Sequence, residues 1–562
     1  MVTDVTLGIM PRSQNGHNPA SSPSGLFNIV PLPTTARRMP GYFVFDQDVQ
    51  VVIASPYTED AAWLLHHYLG PAMGIPLPVI SAVISAEESR RSVTLRIDPQ
   101  EAFPEGGYAL DVEPDRILLA ASSPAGLLNA VQTLRQLLPP ECLYPAPVST
   151  TPLRAPCCHI EDAPRFAWRG VMLDVARHFM PVPFVLRMID LAALHKLNRF
   201  QLHLTDDQGW RLEVPNWPKL REIAASRPAT ARRPGPESED DGTPHGGFYS
   251  LQELRAIVAY AARRGVTVVP EIAMPGHMQA ALAAYPQLGS GERGPVRTRW
   301  GGSPHVLAPS HLARIFLGDV LDVVTDVFPS PYIHLGGDEC PREEWRRDPQ
   351  ARAWAAQEGL ASTDGLQSWF LRTAAARLAQ SGRRAVVWDQ AMEDGGMPED
   401  TVIAVWRDWA DEDLMAAALA KGHDVLACPT RRTYLDHYQS ELPTEPVAFP
   451  EETPLEALTD FDPAPPRTEL PGAGQVLGTQ AQLWTEYMPS SRHVEYMAFP
   501  RLGAFADAAW GRADDRRGHP FSHRLPDYLQ RLDALSVEYR PLPGPHPWQR
   551  GGTGDRARPG RT

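Results

Sequence analysis

The 562-residue sequence predicts an α/β protein built on a (β/α)8 TIM barrel, preceded by a small α+β domain. Three observations predict it. From Trp168 onward strand and helix patterns alternate, giving eight strand candidates over about 340 residues, the order a closed parallel barrel requires. Before that point, residues 28–156 mix short β-rich runs with two helical patterns and carry no cluster of reactive side chains. Last, the reactive residues of the chain gather at the carboxyl ends of the predicted barrel strands, the face on which such barrels perform chemistry.

In the small domain, strands are expected at 42–53, 92–97, 108–112 and 117–121, with a turn at Glu113-Pro114-Asp115 between the last two. One helix is expected at 59–73. A second begins at Ser123-Pro124, a capping residue followed by proline at the first helical position, and stops at Pro139-Pro140.

The barrel strands are expected at 170–175, 199–205, 266–272, 332–336, 385–388, 402–406, 424–427 and 476–483. The clearest intervening helix is 250–264, where Ser250 and Glu253 form a capping box. Others are expected at 183–196, 310–328, 363–381, 411–421 and 492–510, the last containing Pro500. Polar, Pro/Gly-rich stretches at 227–247 and 440–474 follow strands two and seven, which places them on the catalytic face. The expected organisation is a flexible segment 1–27, the α+β domain 28–156, the barrel 164–545 and a disordered tail 546–562.

Composition narrows the function. Hydrophobic residues make up 43% and charged residues 21%, the balance of a soluble globular protein. The net charge is −14 and no long Lys/Arg cluster occurs, which argues against nucleic-acid or anionic-membrane partners, since both need concentrated positive charge. The first 37 residues lack a basic segment followed by an apolar core, and no apolar run nears the ~18 residues that cross a bilayer. Cys142, Cys157, Cys158, Cys340 and Cys428 are odd in number and lack metal-ligand spacing. Reduced thiols in a cytoplasmic protein, with no cofactor, are the expectation.

The strand ends carry the chemistry. Strand one ends in Asp174 and Arg177-His178, strand two in Thr205-Asp206-Asp207, and strand three leads into Glu271 and Pro275-Gly276-His277. Strand four ends in Gly336-Gly337-Asp338-Glu339, strand five in Trp388-Asp389 and strand six in Trp406. Strand seven leads into Tyr434 and Asp436, strand eight into Trp484 and Glu486. Any one of these could be a satisfied polar group or a core aromatic; their joint placement on one face points to a site. Glycosidases with two opposed carboxyls hold them ~5–9.5 Å apart across the scissile bond, for which sequence neighbours such as Asp338 and Glu339 are poorly placed. An adjacent pair suits another division of labour, in which one carboxyl protonates the leaving oxygen and the other grips a group on the substrate. Tryptophans at three strand ends suit the apolar faces of a sugar.

Five motifs in order, Arg177-His178-Phe179, His203 through Trp210, Met274-Pro275-Gly276-His277, His334 through Glu339 and Leu483-Trp484-Thr485-Glu486, strongly resemble glycoside hydrolase family 20, the β-N-acetylhexosaminidases. The resemblance spans about residues 164–510, and the preceding small domain is similar to the one that precedes the family's barrel. It implies an enzyme acting on N-acetylhexosamine-terminated glycosides and chito-oligosaccharides. It implies Glu339 as general acid/base, Asp338 as the residue that orients the 2-acetamido group, and Tyr434 as a hydrogen-bond donor to the acetamide oxygen. Trp388, Trp406 and Trp484 would wall the sugar; Arg177, Asp436 and Glu486 would hold its hydroxyls; Asp206 and His277 would form a relay behind Glu339. Two positions depart from the pattern: Ala273 stands where the family commonly has Asp, and Gln390 where it often has Glu. A catalytically silent sugar-binding barrel would not need Asp338, Glu339 and Tyr434 together. A metal-dependent hydrolase would be expected to show a His pair at a strand end, which this sequence lacks.

Overall fold

The computed structural model describes residues 27–550 apart from 54, 82–90, 101, 150, 234, 236, 291–293, 394–395, 411–412 and 465–473. The segment 1–27 expected to be flexible therefore lies outside the described residues except for Phe27, as does the tail beyond 550. Residues 546–550, expected to belong to that tail, are ordered: a short turn, Pro547–Gln549, is tied by Gln549 Nε2 to Glu538 Oε1 at 2.8 Å.

The first domain is a seven-stranded mixed sheet covered by the helices Glu59–Met73 and Pro124–Leu137. Its expected first strand, 42–53, is two strands, Thr35–Val44 and Gln50–Ile53, because Asp46 folds the chain back by accepting from Asp48 N and Val49 N. A strand that local pattern did not reveal, Arg154–Asp162, pairs antiparallel with both Thr35–Val44 and Tyr108–Val112. The domain thus runs to Asp162 rather than ending at 156, since Pro156 is accommodated within the paired strand.

The second domain is a closed ring of eight parallel strands. The last, Val476–Leu483, pairs with the first, Trp168–Asp174, which also pairs with the second, Arg199–Asp206. Strands four and eight, Tyr332–Gly336 and Val476–Leu483, have the expected limits; the others agree within two residues at either end. The expected helix 492–510 is two helices, Ser491–Ala498 and Arg501–Trp510, because Pro500 cannot donate a backbone hydrogen bond and breaks the ladder.

Two features of this frame position the site. Inside the barrel a buried polar chain climbs toward the carboxyl end. Trp168 Nε1 donates to Gln480 Oε1 (3.2 Å), Gln480 Nε2 to Gln201 Oε1 (2.9 Å), and Gln201 Nε2 to Glu271 Oε2 (2.7 Å). Each donor of this chain is satisfied, so it rigidifies the floor beneath the site. The domains are locked by Lys196, whose buried ammonium contacts Asp162 Oδ2 at 2.8 Å, and by Trp510 Nε1, which donates to Asp162 Oδ1 at 2.8 Å.

Candidate active site

The site is built around the end of strand four. Gly336 and Gly337 both take left-handed φ, 68° and 90°, and both lack room for a side chain. A Cβ on Gly336 would meet Ala273 Cα at 2.9 Å, and one on Gly337 would meet Leu371 Cδ1 at 2.9 Å. The turn they allow delivers Asp338 and Glu339 to the mouth of the barrel. Glu339 itself has φ 43°, a costly conformation for a residue with a side chain, of the kind found at functional sites. Two amides fasten this strained loop: Gln367 Nε2 donates to Gly337 O at 2.7 Å, and Gln390 Oε1 accepts from Glu339 N at 2.9 Å.

His277, also left-handed with φ 53°, stands between two pairs of acids. Its Nδ1 lies 3.3 Å from Asp206 Oδ1 and 3.4 Å from Asp207 Oδ2; its Nε2 lies 3.6 Å from Glu339 Oε2 and 3.8 Å from Asp338 Oδ2. Burial opposes a charge on this imidazole, but Asp206, Asp207 and Asp338 together hold its pKa well above the usual histidine value. Burial pushes the Asp338 carboxyl up to about 7, with His277 resisting and Glu339 adding to the rise. Glu339 faces outward with its side chain half exposed.

Asp206 does more than stand behind His277. It also accepts an ion pair from Arg177 Nη2 at 3.0 Å and contacts His203 Nε2 at 3.0 Å. Burial resists its ionisation, yet Arg177 and His277 hold it well below the carboxylate range. The relay expected from sequence is therefore one branch of a larger network that includes a substrate-binding candidate.

Trp388, Tyr434 and Trp484 form one buried aromatic cluster with Trp406 packed against it. Trp388 and Trp484 rings lie 6.1 Å apart, Tyr434 and Trp484 6.4 Å, and Trp406 stacks near-parallel on Tyr434 at 6.3 Å. Trp388 is oriented by its Nε1, which donates to Glu271 Oε1 at 3.1 Å. Burial raises the Tyr434 phenol pKa well above its usual value, with Cys428, Asp436 and Asp338 adding to the rise.

Beside this cluster Arg177 lies 3.7 Å from Glu486 Oε1 and 3.3 Å from Asp174 Oδ2, with its guanidinium over the Trp484 ring. Asp436 Oδ1 and Glu486 Oε2 are buried with no hydrogen-bond partner. Burial pushes Glu486 up to about 7 against the pull of Arg177, and holds Asp436 well above its usual value, Glu486 contributing. Buried acceptors without partners are costly, so a ligand that brings hydroxyl groups here satisfies them.

All eleven residues expected at the site reach this one face. Others had no role assigned from sequence. Glu271 is fully buried between His203 Nδ1 (2.7 Å) and His334 Nδ1 (3.3 Å), which draw its pKa down to about 2 against burial. Asp207 accepts from Gln279 N (2.9 Å) and Ser303 N (2.7 Å), and a Cβ on Gly302 would come 3.9 Å from Glu339 Oε2. Asp207 and Glu271 lie within or beside the recognised motifs; Gly302 and Gln367 come from segments with no distinguishing pattern.

Among the described residues Asp206, Asp207 and His277 place potential metal-ligand atoms within 4.8 Å of one another. They do not fit a cation well. Asp206 is already engaged by Arg177 and His203, Asp207 accepts from two backbone N–H groups, and the acids around His277 raise its pKa and so favour a proton over a metal ion.

Comparison with known proteins agrees with this geometry. Residues 166–513 match the catalytic-domain model of glycosyl hydrolase family 20, and residues 26–163 match its domain 2. The chain belongs to glycosyl hydrolase family 20. It is a glycoside hydrolase of the β-hexosaminidase type. A β-hexosaminidase from Porphyromonas gingivalis is 36% identical over 94% of the chain, which spans 66% of that relative's length. One from Vibrio furnissii is 35% identical over 90% of the chain and 80% of its own. Among solved structures, the exo β-N-acetylglucosaminidase of Vibrio harveyi, in complex with N-acetylglucosamine, aligns with a TM-score of 0.80 at 32% identity. That alignment covers 93% of this family 20 chain and 80% of the other.

Proposed function

We propose that the protein is a retaining, exo-acting β-N-acetylhexosaminidase. It removes terminal non-reducing N-acetylglucosamine or N-acetylgalactosamine by substrate-assisted catalysis. The observation that carries this reading is the placement of Asp338 and Glu339. Consecutive in sequence, they both reach Nε2 of His277, at 3.8 and 3.6 Å; Asp338 is the more buried and its charge acts on Tyr434 of the aromatic cluster, while Glu339 is half exposed. On this reading Asp338 meets the acetamide and Glu339 the leaving group.

In the first step the acetamide carbonyl oxygen attacks the anomeric carbon, the glycosidic bond breaks, and Glu339 gives its proton to the departing oxygen. Asp338 orients the acetamide N–H and balances the positive charge of the oxazolinium as it forms. Tyr434 donates to the acetamide oxygen, and Trp388, Trp406 and Trp484 enclose the group and the sugar face. In the second step the Glu339 carboxylate takes a proton from water, which opens the oxazolinium from the face the leaving group left, so configuration is retained. His277, 3.6 Å from Glu339 and backed by Asp206, positions the carboxyl through the two roles. Arg177, Asp436 and Glu486 bind the hydroxyls of one terminal sugar and close its non-reducing end, which makes the site a pocket rather than a cleft. The N-acetylglucosamine bound to the Vibrio harveyi structure supports the same substrate class here.

Product analysis on chito-oligomers tests the reading. Single N-acetylglucosamine units should appear from the non-reducing end, and an aryl glucoside without the acetamido group should be left intact. Internal fragments early in the digestion would contradict the exo assignment.

A further inference from the structure

One level of the barrel interior carries a buried charge pair. The strand register sets Glu271, on the third barrel strand Thr267–Met274, opposite His203 of the second strand on one side and His334 of the fourth on the other. All three are buried. Oε2 of Glu271 lies 2.7 Å from His203 Nδ1 and accepts from Gln201 Nε2, while Oε1 accepts from Trp388 Nε1 at 3.1 Å. His334 is a neutral neighbour: its Nδ1 accepts from Gly336 N at 3.0 Å, and burial lowers its pKa to about 4.

His203 stands between two carboxylates, with Nδ1 on Glu271 and Nε2 3.0 Å from Asp206 Oδ2. Burial opposes both charges, but Glu271 and Asp206 raise the His203 pKa to about 10, and His203 lowers that of Glu271 to about 2. At neutral pH the two form an ion pair. Such a pair contributes little net stability, because its attraction is offset by the cost of taking both charges out of water. Its contacts show what it holds. Glu271 orients the indole of Trp388 through the N–H it accepts. The His203 ring packs edge-on against Trp484, 4.9 Å away with 78° between the planes. Beyond Nε2 stands Asp206, whose other oxygen lies 3.3 Å from His277 Nδ1.

We propose that the Glu271–His203 ion pair positions both halves of the reaction: it fixes Trp388 and Trp484 around the acetamide and keeps Asp206 in place behind His277. The proposal rests on the substrate-assisted reading. Buried as they are, the two residues act through their neighbours and are positioning residues. With the pair intact, the walls of the acyl pocket hold their spacing when a substrate enters. Without it both tryptophans gain freedom, and the pocket no longer measures the acyl group.

Acyl selectivity tests this, since a loss of stability alone does not change it. One added methylene in a tight pocket costs about 10- to 200-fold in kcat/KM. The wild-type chain should show a margin of that order between an aryl N-acetylglucosaminide and its N-propanoyl analogue. Glu271→Gln keeps an acceptor for Trp388 but removes the negative charge; His203→Asn removes the positive one. Each should lower kcat/KM for the N-acetyl substrate at least about tenfold and narrow the acetyl-to-propanoyl ratio at least about threefold. Circular dichroism and Tm establish that a variant is folded, and either variant alone suffices if the other fails to fold. Equal losses on both substrates, or a wild-type ratio in a folded variant, would overturn the positioning role. A wild-type chain indifferent to the added methylene would contradict the enclosed acetamide pocket itself, and the proposal with it.

Discussion

The backbone N–H of Glu339 donates to the side-chain carbonyl of Gln390 at 2.9 Å, so a residue on the loop after strand five holds the strained turn that carries the acid. Replacing Gln390 by Leu should free that N–H and loosen the aim of the carboxyl. The expected result is a fall in kcat of about 5- to 20-fold with KM little changed. Gln390→Glu, which keeps an acceptor oxygen, should retain most activity. Steady-state kinetics on an aryl N-acetylglucosaminide decides it, and an unaffected Leu variant would remove Gln390 from the positioning role.

Loss of the acid should depend on the leaving group. Glu339→Gln is expected to lose most activity, about 10²- to 10⁴-fold, on natural glycosides whose poor leaving groups need a proton. Activated aryl substrates should suffer less. Parallel kinetics on chitobiose and a nitrophenyl glycoside make the comparison; equal losses would mean another group supplies the proton.

The elevated Asp338 pKa predicts a trade of stability for function. Its folded value, about 7, stands above the unfolded value near 4, so ionising it in the folded protein is unfavourable. That penalty is absent below pH 4, grows between pH 4 and 7, and is complete above pH 7. Asp338→Asn should therefore raise stability by about 1–3 kcal/mol at pH 8 and leave it nearly unchanged at pH 4, while turnover collapses. Chemical denaturation at the two pH values measures this, and a variant less stable than wild type at pH 8 would refute the assignment of strain to this carboxyl.

Asp206 is engaged by Arg177 and His203, Asp207 accepts from two backbone N–H groups, and the surrounding acids favour a proton on His277 over a cation. Prolonged dialysis against a chelator should leave kcat/KM unchanged. Activity lost on chelation and restored by a divalent ion would show that a metal belongs to the site.

Much of the fold and of the site is legible in the sequence. Strand limits such as Tyr332–Gly336 follow from local pattern, and the reactive residues are legible because a barrel places successive strand ends on one face. What escaped depends on contacts distant in sequence. Arg154–Asp162 is a strand because two partners, Thr35–Val44 and Tyr108–Val112, pair with it; alone, its proline and two cysteines say little. The helix Phe521–Ala534 was hidden by Pro526 within it. In the site, Arg177 reads as a sugar ligand, yet its ion pair with Asp206 also joins it to the acid's network, a link no spacing of 29 residues reveals. Gln367 is an ordinary polar residue in sequence and Gln390 is visible only as a departure from the family pattern; the fold alone brings their amides to the strained loop.

The central claim is that the substrate's acetamide is the nucleophile. Aryl N-acetylglucosaminides carrying acetyl, monofluoroacetyl, difluoroacetyl and trifluoroacetyl groups test it most directly, because each fluorine withdraws electron density from the attacking carbonyl oxygen while changing size little. The account predicts that kcat/KM falls steeply and progressively along the series, with a linear dependence of its logarithm on the substituent's inductive constant. A flat series would mean that an enzyme carboxylate or water attacks the anomeric carbon, and would contradict the roles given to Asp338 and Tyr434.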